Sequence, residues 1–289
     1  MNFLSRRRFI LTAGAACLGG GPLGRAAGGD AKLEIEVDNG GWGKASPSDI
    51  RAIVISAADE VWPYCAGERI KPVRVYHRDD FPQTDFLHDW RGRVRIGLHS
   101  DDGHWAQMAF QFGHEFCHAL AQHSAVALHG WHPPRHANLW FEESLCETSS
   151  LFVLRRLAAT WQEHPPYENW RSYAPAMAKY AADRMALPEH QLPANTTFQE
   201  WFRQNEASMR ANAALREKNV IVARQMLPIF EAEPAGWDAV CYLNLGAHLP
   251  GKSLVQHLAE WQTNSPAAVR PFVTKIAGLF PSAAGPGVG

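Results

Sequence analysis

Hydrophobic and polar residues alternate along three short stretches of the N-terminal half: Leu33-Glu34-Ile35-Glu36-Val37, Val73-Arg74-Val75-Tyr76 and Val94-Arg95-Ile96-Gly97-Leu98. A period of two predicts β-strands with one buried face. Between the first two, residues 48–62 read as a helix entered through Ser46-Pro47-Ser48-Asp49. From Trp105 the period lengthens. Trp105, Met108, Phe112, Phe116 and Leu120 recur at intervals of three or four with no proline among them, which predicts an amphipathic helix. Helical periodicity returns over 151–162, 173–185, 197–217, 220–230, 237–243 and 254–262, with breaks at Pro165-Pro166, Pro188, Pro193, Pro234 and Pro250. The pattern predicts an α+β protein: a small mixed sheet and a long helix in a subdomain over 30–150, then a mainly helical subdomain over 151–289. There is no internal repeat, and the small residues of 281–289 predict a frayed end.

The long helix carries His114-Glu115-Phe116-Cys117-His118, an H-E-x-x-H sequence. One helical turn, about 40° around the axis and roughly 6 Å along it, separates the two histidines, so their imidazoles can converge on one cation. Glu115 projects beside them, where a carboxylate reaches a metal-activated water without being a ligand. As an ordinary helix surface, the same residues would be two polar histidines and a solvated acid. A catalytic zinc takes three protein ligands, so a third must follow His118. The acids of 138–147 and the loop histidines His129, His132 and His136 are candidates. His123 is turned about 140° from His118 on an ideal helix and faces elsewhere. Ala121 and Ser124 stand where a metzincin needs Gly and His, which excludes that class.

Trp140-Phe141-Glu142-Glu143-Ser144-Leu145-Cys146 resembles the W-L-N-E-G-F-A stretch of gluzincin metallopeptidases of the aminopeptidase-N type. The resemblance implies a zincin-like fold, one zinc ion and Glu143 as the third ligand. Ser144 departs from the family's Gly, and the spacing from His118 is longer than usual, an excess that falls in the His- and Pro-rich loop 129–136. By resemblance to thermolysin-like gluzincins, Glu147 would hydrogen-bond a ligating histidine and fix its tautomer. Arg216-Glu217-Lys218-Asn219-Val220 distantly resembles the family's Y-E-K-G-A, a resemblance that puts Arg216 at the position of the oxyanion-stabilising Tyr. Arg216 is equally an exposed helix residue, and Tyr167, Tyr173, Tyr180 and Tyr242 are further candidates. The family's G-A-M-E-N motif, which binds a substrate amino terminus, is absent, as is its large N-terminal β domain. In zincins the strand preceding the active-site helix borders the cleft, which makes 94–98 the candidate substrate strand.

Ser5-Arg6-Arg7-Arg8-Phe9-Ile10 matches a twin-arginine export signal, and the apolar run 9–18 that overlaps it is too short to span a bilayer. Cleavage near residue 29 would remove four arginines and no acid, moving the formal charge from −1 to −5. That balance gives no footprint for nucleic acid, and no later apolar run predicts a stable membrane anchor. Cys65, Cys117, Cys146 and Cys241 remain, without the spacing of a zinc knuckle; Cys117 and Cys146 are expected near the contact between the two site helices, as packed thiols or as a bridge. The 11 tryptophans raise a carbohydrate surface as an alternative, but Trp201, Trp237 and Trp261 fall in amphipathic segments and are expected in the core. The expectation is a periplasmic or secreted zinc metallopeptidase acting on peptides or proteins. Endopeptidase action is favoured, and the alternative is a catalytically weak zinc-holding or peptide-binding module on the same scaffold.

Overall fold

The computed structural model describes residues 33–65, 70, 72–85, 87–129 and 136–281, without the side chains of 123–129. The expected leader and His132 lie outside the described residues, as do the side chains of His123 and His129. The alternating stretches become strands β1 (Ile35–Val37) and β2 (Val73–His77), followed by β3 (Gln83–Asp85) and β4 (Val94–Leu98). These form one mixed sheet in the order β1-β2-β4-β3, parallel except where β3 runs antiparallel to β4. Val73, Val75, Val94, Ile96 and Leu98 bury its inner face. Helix α1 (Pro47–Asp59) connects β1 to β2. It starts at a reciprocal cap between Ser46 and Asp49, has Pro47 in its first turn, and buries Ile50, Ile53, Val54 and Ala57.

The expectation for the substrate strand is corrected here. β4 is bonded to β2 on one side and β3 on the other, so neither of its edges can accept an added strand. The exposed edge nearest the long helix is β3, whose polar residues Gln83-Thr84-Asp85 show no hydrophobic alternation.

Helices α2 (Trp105–His129) and α3 (Leu139–Glu163) pack antiparallel: Phe110 meets Ser150 near one end and Gln122 meets Glu142 near the other. α3 is one continuous helix, so a subdomain division at 150/151 falls in its middle. Beyond it come α4 (Ala174–Ala186), α5 (Phe198–Ala211), α6 (Arg216–Ala232), α7 (Trp237–Val240), α8 (Leu254–Asn264) and α9 (Arg270–Ala277). The helix expected over 197–217 stops at Ala211, and Arg216 opens the next one. Pro228 lies inside α6, where it removes one bond of the helix ladder, and the helix ends one turn later. α9 was not expected from the sequence, although Phe272, Val273 and Ile276 fall on one helical face.

The class is α+β, and sheet and helices share one buried hydrophobic cluster. Trp140, Trp161, Trp237 and Trp261 are fully buried and Trp201 nearly so, which makes their contribution one of packing. Cys65, Cys117, Cys146 and Cys241 are buried free thiols. No helix among the described residues is long and apolar enough to cross a membrane.

Candidate metal centre

The middle of α2 lies against the start of α3, and this juxtaposition builds the site. His114 and His118 present imidazoles whose ring centres are 5.1 Å apart. Glu143 reaches across from α3 between them: one carboxylate oxygen is 3.3 Å from His114 Nε2 and the other 3.5 Å from His118 Nε2. Metal–ligand bonds of about 2.1 Å in tetrahedral geometry separate neighbouring donor atoms by about 3.4 Å. Each Nε2 is thus at that spacing from a different oxygen of Glu143, so the carboxylate stands between the two imidazoles. Two imidazoles and a carboxylate are also a donor set that zinc accepts.

The sequence expectations of His114, His118 and Glu143 are brought together. His136 is not: it stands in a separate histidine cluster, its Nδ1 accepting from the Asn138 N–H and its ring 4.6 Å from that of His257. Cys146 offers a competing arrangement, because its sulfur lies within 4.8 Å of a nitrogen of each site histidine. Glu143 faces Nε2 of both histidines, and the Cys146 thiol is held protonated by burial and by contact with Cys117.

A second carboxylate orients the pair. His118 Nδ1 is 2.7 Å from Glu142, which also accepts from Gln122 Nε2 at 3.0 and 3.1 Å and from Asn244 Nδ2 at 2.8 Å. A histidine that donates from Nδ1 keeps Nε2 for the metal. This role was expected of Glu147, and here the structure differs. Glu147 pairs with Arg184 of α4, at 2.9 and 3.2 Å from the same guanidinium nitrogen, while that guanidinium lies 4.4 Å above the Phe110 ring. The α4 contact claims Glu147, and Glu142, rotated towards α2, reaches the histidine.

Charge follows this geometry. Burial opposes ionisation of Glu143, but the hydrogen bond from His114 and the charges of His118, His114 and Arg216 prevail and hold its carboxyl down at about 2. Burial likewise opposes a charged His118, yet the Glu142 hydrogen bond and the charges of Glu143, Glu142 and Glu115 raise it to about 10. Without a cation, a proton on His118 therefore offsets part of the site's negative charge.

Glu115 is buried where α2 passes β3. Thr84 Oγ1 lies 2.7 Å from its carbonyl oxygen and 3.0 Å from its carboxylate. Sequence reasoning missed Thr84, Gln122 and Asn244. Only Gln122 had a signal, one turn beyond His118 on the same face. Arg216 is exposed at the start of α6, and its charge is felt by Glu143 and by Tyr180 of α4, so it lies on the site's side of the molecule. Of the tyrosines, Tyr180 packs against Phe110 and Tyr242 is buried, whereas Tyr167 is exposed and leans on Trp170. Compared with known proteins, the chain matches no family model, no curated protein and no solved structure.

Proposed function

We propose that this chain is a zinc-dependent peptidase of gluzincin type with a zincin-like arrangement of sheet and helices, exported to the periplasm or beyond and acting on peptides or proteins. The observation that supports it most is the approach of the two Glu143 oxygens to the two Nε2 atoms, at 3.3 and 3.5 Å, distances of the size that separate neighbouring donors around tetrahedral zinc. His114, His118 and Glu143 would hold the ion. Bound there, zinc would supply Lewis acidity that lowers the pKa of water towards about 7 and polarises a peptide carbonyl.

The chain's residues do the rest. Glu115 takes the proton of the attacking water and delivers it to the leaving amine. Thr84 fixes the Glu115 backbone and carboxylate against β3. Glu142 holds His118 in the orientation that frees Nε2. Arg216 provides a positive charge towards the oxygen on which negative charge develops. The open edge of β3 offers main-chain groups to an extended substrate beside Glu115.

Cleavage of a mixed peptide library by zinc-loaded wild type and by Glu115→Gln tests this reading. Loss of the base is expected to cost about 10²–10⁴ in rate with zinc retained; equal cleavage by both rejects Glu115 as the base. A second reading, a zinc-holding or peptide-binding module without turnover, draws on Cys146, whose thiolate would close the fourth coordination position. Cleavage by neither protein, together with a sulfur-to-cobalt charge-transfer band in the cobalt form that Cys146→Ser abolishes, would decide for that module.

A further inference from the structure

Asn244 lies in the turn that follows α7, far from the site in sequence and 2 % exposed. We infer that Asn244 is a positioning residue of the metal site: together with Gln122 it holds Glu142 in the place from which Glu142 orients His118. The inference rests on the metal site proposed above.

The Asn244 side-chain amide points its NH₂ group at two acceptors, Glu142 Oε2 at 2.8 Å and the Ala121 carbonyl at 3.4 Å. Because both neighbours only accept, a flipped amide would set oxygen against oxygen, so the orientation is determined. Gln122 Nε2 approaches both Glu142 oxygens from α2 itself. Around Glu142 the three donors are therefore His118, Gln122 and Asn244, and they arrive from two directions: two along α2 and one from the C-terminal half of the chain.

A carboxylate held from one side only would pivot about its side-chain torsions. Asn244 blocks that pivot with a donor that does not belong to α2. Glu142 is 4 % exposed, so no bulk water replaces a missing donor, and a buried acceptor left short of partners moves to find one. The partner left to it is His118, whose ring would follow. The rest of the Asn244 amide is turned to His136, whose ring interacts with it through a side-chain hydrogen bond.

Two measurements on Asn244→Ala test this, one with metal and one without. Zinc affinity by chelator competition is expected to fall about tenfold, the low end of the effect of losing a direct partner of a ligating histidine, because Asn244 acts on that partner, Glu142. In the metal-free protein, solvent exchange of the His118 Nδ1–H proton, followed by NMR, is expected to speed up at least about tenfold, since that hydrogen bond loses its fixed acceptor. Asn244→Asp keeps the shape but turns the donor into an acceptor and is expected to move both readouts the same way; it serves if the alanine variant fails to fold. Wild-type zinc affinity and unchanged proton exchange in either folded variant would overturn the assignment. If wild type itself binds no zinc, the metal reading falls, while the exchange measurement still decides whether Asn244 positions His118.

Discussion

Glu142 and Glu147 stand five residues apart on α3, both buried, and their partners give them opposite work. Glu142 meets a histidine and two amides; Glu147 meets one guanidinium. Removing the charge of Glu147 strands Arg184, whose side chain is 19 % exposed, over the Phe110 ring. Breaking a buried pair from one side costs about 3–5 kcal/mol. Glu147→Gln is therefore expected to lower the unfolding free energy by an amount near that range while leaving zinc affinity unchanged, as denaturant unfolding and chelator competition would measure. Glu142→Gln should reverse the pattern, weakening zinc about 10–100-fold. Had the family resemblance been followed to the residue, these two outcomes would have been exchanged. The offset of four from Glu143 correctly places Glu147 on the same helix face. What claims a residue on that face is the element that docks there, and Arg184 arrives from a helix that local sequence does not locate.

At the level of elements, the site depends on how closely α2 approaches α3. Gly113 makes this approach possible: a Cβ there would meet the Ser150 backbone at 3.3 Å and Val153 at 3.4 Å. Ser149 and Ser150 bind the carbonyls of Gly113 and Phe110 at 2.8 Å, which pins the two helices in register. Gly113→Ala gains about 1 kcal/mol in helix propensity but overpacks a contact with backbone, which costs about 1–3 kcal/mol. A net loss near 1 kcal/mol is expected by denaturant titration. Zinc affinity should fall with it, because His114 is the next residue and moves with the helix; unchanged affinity would show that the spacing is not critical. The α2 pattern was fully legible, since its apolar period and its histidine spacing both follow from helix geometry. Strands β1, β2 and β4 were legible for the same reason, by alternation. β3 was not: three polar residues become a strand only because β4 offers an open edge, and Thr84 enters the site with them. The continuity of α3 was obscured by its Glu- and Ser-rich first half, whose polar residues are buried through hydrogen bonds to α2 between fully buried Trp140, Phe141 and Leu145.

For the molecule as a whole, acid stability is set away from the metal centre, where His136, His248 and His257 gather from the loop before α3, the segment after α7 and α8. His136 and His257 are 5 % and 1 % exposed. Burial, then the Lys252 cation, keeps His136 at about 4, against the weaker upward pull of Glu142 and Asn244 and with a small downward push from His248. Burial, followed by His136, Lys252 and His248, holds His257 well below the ordinary value of 6.5. Both are neutral in the fold and charged more readily when unfolded. Between pH 6.5 and about 4 the unfolded chain thus binds more protons, and stability that is complete above 6.5 is lost as pH falls through this window. At about 1.4 kcal/mol per unit, His136 alone accounts for about 3 kcal/mol. The metal-site groups do not blur this interval in metal-free protein. His118, raised to about 10, contributes its full stabilisation below 6.5, and Glu143, lowered to about 2, begins to lose its share only below 4.5. Urea unfolding of chelator-treated protein across this window should show falling stability, with a shallower fall in His257→Phe, which removes one proton acceptor while filling its space. An equally steep fall in that variant would place the acid-sensitive groups elsewhere in the molecule.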